Sequence, residues 1–368
     1  MKIFKRLTAS ALCLLAIITV SAKSFPILVW QGWEEDKTTE AFLQEQFATW
    51  KAHGVTGVCM NVGFNVEHAR IASEVAHRNG LEFHAWMPCM LHKGLPSSWY
   101  AVNRKGERAD SVQAYVPYYT CLDPNNKDVQ AYLIDKYKRV AALPSVDYVQ
   151  LDYIRYPDVI LAKGLWSKYN LVMNEEYPTA DYCYCDDCVA EFKAKTGIDI
   201  RSVQDPSKVK AWAQFRCDVI TNFVNKLCAE VHAMGKKVSA DVFPGPKSHA
   251  VWMVRQEWNK WNVDAFLPMN YNDFYLKDAR WLKTITKEEV KAVKGKAPIY
   301  SGLFICNDWR NKHKVVDPEA SGLLPSEIDE AIKGCVKAGA MGISLFTSTS
   351  MTEEHWQALS EAIKKYVK

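Results

Sequence analysis

The chain has 368 residues, with 46 basic against 42 acidic side chains, 48% hydrophobic content, 11 cysteines and 13 tryptophans. These proportions exclude a disordered segment, a collagen-like repeat, a small disulfide scaffold and a polytopic membrane protein. The length suits either two ordinary domains or one α/β barrel.

Residues 1–22 read as a secretory signal peptide. Lys2, Lys5 and Arg6 form a positive start, Ala9 to Val20 an apolar stretch too short to span a bilayer, and Val20-Ser21-Ala22 a small-residue cleavage site. An uncleaved anchor is the alternative. Cleavage after Ala22 removes three basic residues and lowers the formal net charge from +4 to +1. Such a balance offers no electrostatic case for nucleic acid or an acidic membrane surface. No later segment is apolar for long enough to enter a membrane. The expectation is an exported protein, periplasmic or secreted, with 23–368 as a single domain. Oligomeric state is not legible in the pattern.

From Ile27 onward, short apolar runs alternate with amphipathic stretches, the βαβα signature of a parallel sheet. Eight strands are predicted: Ile27–Trp33, Val55–Val62, Leu81–Met87, Val146–Ile154, Lys237–Phe243, Val263–Asn270, Pro298–Phe304 and Met341–Phe346. The helical patterns are Thr38–His53, Val66–Asn79, Lys127–Ala142, Lys208–Met234, His249–Trp261, Lys277–Ala292, Pro325–Ala338 and Glu353–Val367. Gly54, Gly80 and Gly235 stand where helices commonly end in a left-handed residue. Eight strand-helix pairs predict a single (β/α)8 TIM barrel. A doubly wound sheet is the competing topology, but no glycine-rich phosphate turn follows the first strand. Two connections, 88–126 after the third strand and 157–207 after the fourth, are too long to be simple connectors. Both leave the C-terminal ends of strands, the face where barrels carry their chemistry.

The fourth strand ends Leu151-Asp152-Tyr153-Ile154-Arg155-Tyr156-Pro157 and the fifth Ala240-Asp241-Val242-Phe243. A carboxylate among apolar neighbours near the end of a buried strand is costly unless paired or functional. A structural Asp152–Arg155 pair is the plainer reading. In a barrel, however, adjacent strands bring Asp152 and Asp241 to one rim, as a two-carboxylate glycosidase requires. Asp152 is then nucleophile or base and Asp241 the acid. Further candidates for substrate contact are Trp33, Asn61, His84, Trp86, Tyr153, Arg155, Asn270, Tyr271, Asp273 and Trp309. The flat rings among them suit the apolar faces of sugars, although barrel cores also use large rings.

Cys183-Tyr184-Cys185-Asp186-Asp187-Cys188 places three thiols within six residues, a spacing that favours a metal knuckle over strained disulfides between neighbours. Tetrahedral zinc needs a fourth ligand, and Cys121 in the other long loop is the expected donor. The predicted cofactor is a structural Zn2+ held by Cys121, Cys183, Cys185 and Cys188. One or two disulfides are the alternative in an oxidising compartment.

The stretch Val146-Asp147-Tyr148-Val149-Gln150-Leu151-Asp152-Tyr153-Ile154-Arg155-Tyr156-Pro157 resembles the fourth strand of bacterial secreted family-10-like glycosyl hydrolases. His84-Ala85-Trp86 and the run from Asp264 to Tyr271 look like their third and sixth strands. Cys121-Leu122-Asp123-Pro124-Asn125 and the triple-cysteine loop are similar to the zinc-bearing loops of glycoside hydrolase family 42 β-galactosidases. The resemblance implies a barrel acting on a poly- or oligosaccharide, with Asp152 at the fourth-strand catalytic position of amylase-like barrels. It also departs from both groups. Amylase-like barrels carry a fifth-strand Glu where this chain has Asp241, and the family-42 fourth-strand Asn-Glu pair is absent. The expected function is therefore a glycosidase of unknown substrate without an organic cofactor. A catalytically inactive glycan-binding barrel is the reading from another class.

Overall fold

The computed structural model describes residues 25–306 and 322–367. The signal-peptide segment and Trp309 lie outside the described residues.

The elements run β1 (Ile27–Gly32), α1 (Glu40–Ala52), β2 (Gly57–Asn61), α2 (Val66–Arg78), β3 (Glu82–Pro88), α3 (Lys127–Ala141), β4 (Tyr148–Asp152), α4 (Asp186–Thr196) and α5 (Lys210–His232). They continue with β5 (Lys237–Val242), α6 (Val251–Val254), β6 (Ala265–Pro268), α7 (Trp281–Val293), β7 (Tyr300–Phe304), α8 (Ile328–Ala338), β8 (Gly342–Phe346) and α9 (Glu353–Tyr366). All strands pair in parallel in the order β6-β5-β4-β3-β2-β1-β8-β7. A bridge between Phe266 and Ile299 joins the two edges, giving the expected (β/α)8 barrel.

Local chemistry explains the element ends. Asn65 and Asn126 accept two backbone N–H groups each at the starts of α2 and α3. Gly54, Gly80 and Gly235 take positive φ after α1, α2 and α5, as their spacing predicts. One predicted helix is broken. Between His249 and Trp261 the chain forms a π turn, the single-turn α6 and a 3-10 turn, because Arg255 adopts φ 59° and ends the helix. One helix was not foreseen: α4 lies inside the long connection after β4.

Strand periodicity sorts the side chains into two shells. Val149 and Leu151 of β4 and Val238, Ala240 and Val242 of β5 face the helices in the main core. Their alternates Tyr148, Gln150, Asp152, Ser239 and Asp241 therefore point into the barrel. A separate interior cluster contains Leu28, Trp30, Cys59, Tyr148, Ala265, Leu267 and Tyr300, with Trp86 and Phe346 packed against it.

The long connection after β4 is anchored by packing and buried charge. Phe192 of α4 meets Trp212 of α5 at 5.0 Å between ring centroids, and rings so buried contribute about 1.5–3 kcal/mol each. Arg216 pairs with Asp181, which also accepts the Tyr184 hydroxyl at 2.6 Å, while Arg255 pairs with Glu176 at 2.6 Å. Such buried pairs offset their desolvation only as far as they are hydrogen-bonded, and here Arg216 Nε, Arg255 Nε and Glu176 Oε2 have no partner among the described residues.

Candidate active site

A cavity of ≈ 330 Å³ opens at the C-terminal end of the barrel. Its floor and walls include Trp30, Trp86, Tyr118, Tyr119, Tyr153, Phe243, Tyr271, Phe274, Tyr275, Phe304 and Phe346. The rings pack on one another, with Trp30 edge-on to Trp86 at 4.9 Å and Tyr271 stacked on Phe346 at 5.4 Å. The ionisable groups on the lining other than tyrosines are Asp152, Arg155 and Asp158.

Asp152 closes β4. Its Oδ2 accepts the indole N–H of Trp86 at 2.8 Å and its Oδ1 the backbone N–H of Tyr153 at 2.6 Å. Tyr153 sits at φ 46°, a conformation that side chains other than glycine rarely adopt and that clusters at functional sites. Burial pushes the Asp152 carboxyl upward, against the two donors and the positive charge of Arg155.

Asp241 lies one step beyond the last paired residues of β4 and β5, Leu151 and Ala240, and so stands beside Asp152 on the inward face. It is only 1% exposed and does not line the cavity. Both its oxygens accept Nε2 of Gln150, at 2.8 and 2.9 Å. Its carboxyl is held well above the ordinary range by burial first and by the charge of Asp152 second. The Tyr271 phenol is raised by burial and by the same two carboxylates, Asp241 and Asp152, which places it in their common field. Asp241 is thus the more shielded of the two carboxyls, and the charge of Asp152 beside it adds to the cost of ionising it.

Arg155 forms a buried salt bridge with Asp158, donates to the Tyr119 hydroxyl at 3.1 Å, and lies within 5.5 Å of the Tyr119, Tyr153 and Phe243 ring centroids. Asp158 is thereby neutralised, and Asp152 is the lining carboxyl without a cationic partner bonded to it. Trp30 presents a buried indole N–H with no partner among the described residues.

The structure thus brings together Asp152, Trp86, Tyr153, Arg155 and Tyr271 of the sequence candidates, with Asp241 buried beside Asp152, and places His84, Asn270, Trp33, Asn61 and Asp273 elsewhere. His84 is fully buried lower in the barrel, bonded to Ser239 Oγ at 2.9 Å and Glu82 at 3.0 Å and stacked on Tyr148. Asn270 turns outward and donates to Glu289 at 3.0 Å and Ser301 at 2.9 Å. Trp33 stacks on His68 at 3.9 Å, Asn61 caps the Gly63 amide at 3.1 Å, and Asp273 accepts the Gly322 amide at 2.7 Å. None of these five lines the cavity. Sequence reasoning passed over Trp30, Tyr118, Tyr119, Asp158, Phe243 and Phe346. Asp158 had a signal, since it stands three residues after an arginine that had to be neutralised.

The cysteine cluster has a different fourth member from the one expected. Asp123, Cys183, Cys185 and Cys188 present ligand atoms all within 4.8 Å of one another, an arrangement able to hold a metal ion. Cys185 Sγ lies 2.9 Å from Asp123 Oδ2. Cys121 instead points toward the carbonyls of Leu122 and Arg155, at 3.4 and 3.7 Å, and is not among the clustered ligand atoms. The described cysteines are all free thiols.

The chain is thus an eight-stranded parallel barrel with an aromatic-lined cavity at its C-terminal face that holds Asp152, Arg155 and Asp158. Residues 99–297, more than half of the chain, match the family described as "Putative glycosyl hydrolase domain" (DUF4015), and the chain belongs to that family. In a comparison with curated proteins, nothing matches. Among solved structures, the chain is similar to the PgaB (BpsB) glycoside hydrolase domain of Bordetella bronchiseptica, with a TM-score of 0.65, 12% identity, and coverage of 94% of this chain and 99% of that one. The catalytic domain of β-amylase from Paenibacillus polymyxa gives 0.58 and 11%, covering 94% and 99%. A class V chitinase from Pseudomonas fluorescens Pf-5 gives 0.51 and 10%, covering 92% and 100%. At these identities the structural likeness concerns the fold.

Proposed function

We propose that this protein is a glycoside hydrolase acting on a poly- or oligosaccharide through Asp152 and Asp241. The observation that carries the reading is the pair of adjacent buried carboxyls at the ends of β4 and β5, Asp152 lining an aromatic cavity and Asp241 beside it outside the lining. Asp152, ionised and held by Trp86, serves as nucleophile or base at the sugar carbon. Asp241 serves as the acid, its protonated form favoured by burial and by the charge of Asp152, and Tyr271 lines the cavity within the field of both carboxyls. The rings of Trp86, Tyr118, Tyr119 and Tyr271 offer apolar faces to the sugar, and Arg155, locked by Asp158, orients its hydroxyl groups. Among the described residues no helix is long and apolar enough to cross a membrane, which fits export after removal of residues 1–22.

The cysteine cluster is read as a structural Zn2+ site of Asp123, Cys183, Cys185 and Cys188. Three thiolates and a carboxylate suit zinc, and four protein ligands close its coordination sphere, so the ion staples the two long loops and takes no part in the reaction. Backbone N–H groups of Val102 and Cys188 point at Cys183 and Cys185 sulfurs at 3.3 and 3.4 Å, as thiolates require.

A second reading, a glycan-binding barrel without turnover, is favoured by the exclusion of Asp241 from the cavity lining. Incubating wild type and Asp152→Asn with a broad panel of bacterial and plant glycans, and reading products by mass spectrometry, separates the two. Products from wild type and none from the variant, with glycan binding retained, support the hydrolase. Binding without products from wild type overturns it in favour of the binder.

A further inference from the structure

Behind the barrel wall, α7 carries a carboxyl that the reaction does not use. Glu289 is fully buried, and among the described residues no ion pair holds it. Its Oε1 accepts the backbone N–H of Gly245 at 3.1 Å, and its Oε2 accepts Nδ2 of Asn270 at 3.0 Å. The same Asn270 nitrogen donates to Ser301 Oγ at 2.9 Å, and that hydroxyl lies 3.1 Å from Thr286 Oγ1. Gly245 stands two residues beyond Phe243, and Asn270 immediately precedes Tyr271; both rings line the cavity.

We propose that Glu289 is a positioning residue for the cleft: an ionisable tie whose two oxygens hold the chain beyond β5 and the chain before Tyr271, setting the Phe243 and Tyr271 walls in a pH-dependent way. The inference rests on the reading of the cleft as the substrate site for its consequence, though not for its test. A buried carboxyl is costly, and an aliphatic side chain would pack here without the penalty. Two donors aimed at separate oxygens match the ionised form, which only accepts; a proton on either oxygen removes an acceptor. Asn270 Oδ1 is buried without a partner among the described residues, so a proton on Oε2 has an acceptor at hand once the amide turns, while a proton on Oε1 competes with the Gly245 amide.

The surroundings place that change near neutrality. Burial pushes Glu289 up to about 7, opposed by the Asn270 and Gly245 donors and reinforced by the neighbouring charge of Glu288. From the other elements, Tyr275 and Cys335 face it with neutral groups that its charge pushes upward. In the turn after β5, the Lys247 and Ser248 amides bond Glu288, and His249 feels the charges of Glu288 and Lys277.

Because the folded value lies above the ordinary 4.5, this group's contribution to global stability is fully present below 4.5 and is lost as pH rises through about 7. The local tie works in the opposite sense and is complete only above about 7. Global melting and local protection should therefore move in opposite directions.

Hydrogen exchange read by mass spectrometry on the full chain, from mildly acid to mildly alkaline pH and corrected for intrinsic rates, tests this together with melting curves. In wild type, peptides covering 243–250 and 269–275 should gain several-fold protection as pH rises through neutrality while the melting temperature falls. In Glu289→Gln both trends should flatten. Protection that does not change in wild type, or an identical profile in the variant, overturns the proposal. If the variant does not fold, the wild-type profile decides alone, and it does so whether or not the cleft cleaves glycans.

Discussion

The indole N–H of Trp86 meets the carboxylate of Asp152 at 2.8 Å, joining the last turn of β3 to the last residue of β4. Because the ring also walls the cavity, one side chain both shapes the site and favours the ionised form of its lining carboxyl. Replacing Trp86 by Phe keeps the apolar face and deletes a hydrogen bond to a charged group, worth about 1.5–3 kcal/mol. The acid limb of kcat/KM should then move to higher pH by about one to two pH units, since each corresponds to about 1.36 kcal/mol. A pH-rate profile of the variant on any substrate that wild type cleaves checks this; an unmoved limb means that Asp152 does not govern it.

Asp241 is the buried member of the pair, raised by burial and by Asp152. A folded value above the ordinary 3.8 means that its contribution to stability is present below 3.8 and lost as pH rises through the folded value. Asp241→Asn preserves the size and an acceptor for Gln150 while removing the titration. The variant should melt above wild type at neutral pH, by a margin that shrinks toward pH 4, and should turn over glycans at least about a hundredfold more slowly if Asp241 is the general acid. Melting curves across this range, paired with activity, separate the two roles.

Loss of the metal should cost stability without reaching the chemistry. Chelation, or Cys185→Ser, is expected to lower the melting temperature by roughly 5–10 °C, as the loss of a few kcal/mol does in a protein of this size. Cys121→Ser should retain one equivalent of zinc, whereas Asp123→Ala should not. Elemental analysis of the purified variants is the measurement, and zinc lost from Cys121→Ser with zinc kept in Asp123→Ala would reverse the ligand assignment.

Arg155 and Asp158 are 7% and 3% exposed, so neither charge can be left alone. Arg155→Met should destabilise the fold by about 3–5 kcal/mol, and the double replacement Arg155→Met with Asp158→Leu should recover much of it. Denaturant unfolding of the cycle measures the coupling; additive single effects would mean that the pair does not hold the rim.

Much of this was legible in the order of residues. Strand and helix periods differ, so eight alternations of the two patterns announced the barrel, and period two along β4 and β5 put Asp152 and Asp241 on one face. The break at Arg255 was hidden, because a helical period over His249–Trp261 carries no mark of a left-handed residue that tertiary bonds impose. The same limit acted at the site. Asn270 and Tyr271 are adjacent in sequence and were both expected in the cleft, yet one faces Glu289 and the other Asp152, since neighbours on extended chain diverge. Cys121 was the chemically natural fourth ligand, but the folded loops bring Asp123 to the three thiols instead. Residue chemistry and spacing are local properties and survive reading in one dimension. Which of two adjacent side chains enters the cavity, and which distant carboxyl meets a thiol, depends on the closed barrel and on the two long loops folding back over it, contacts between residues far apart in the chain.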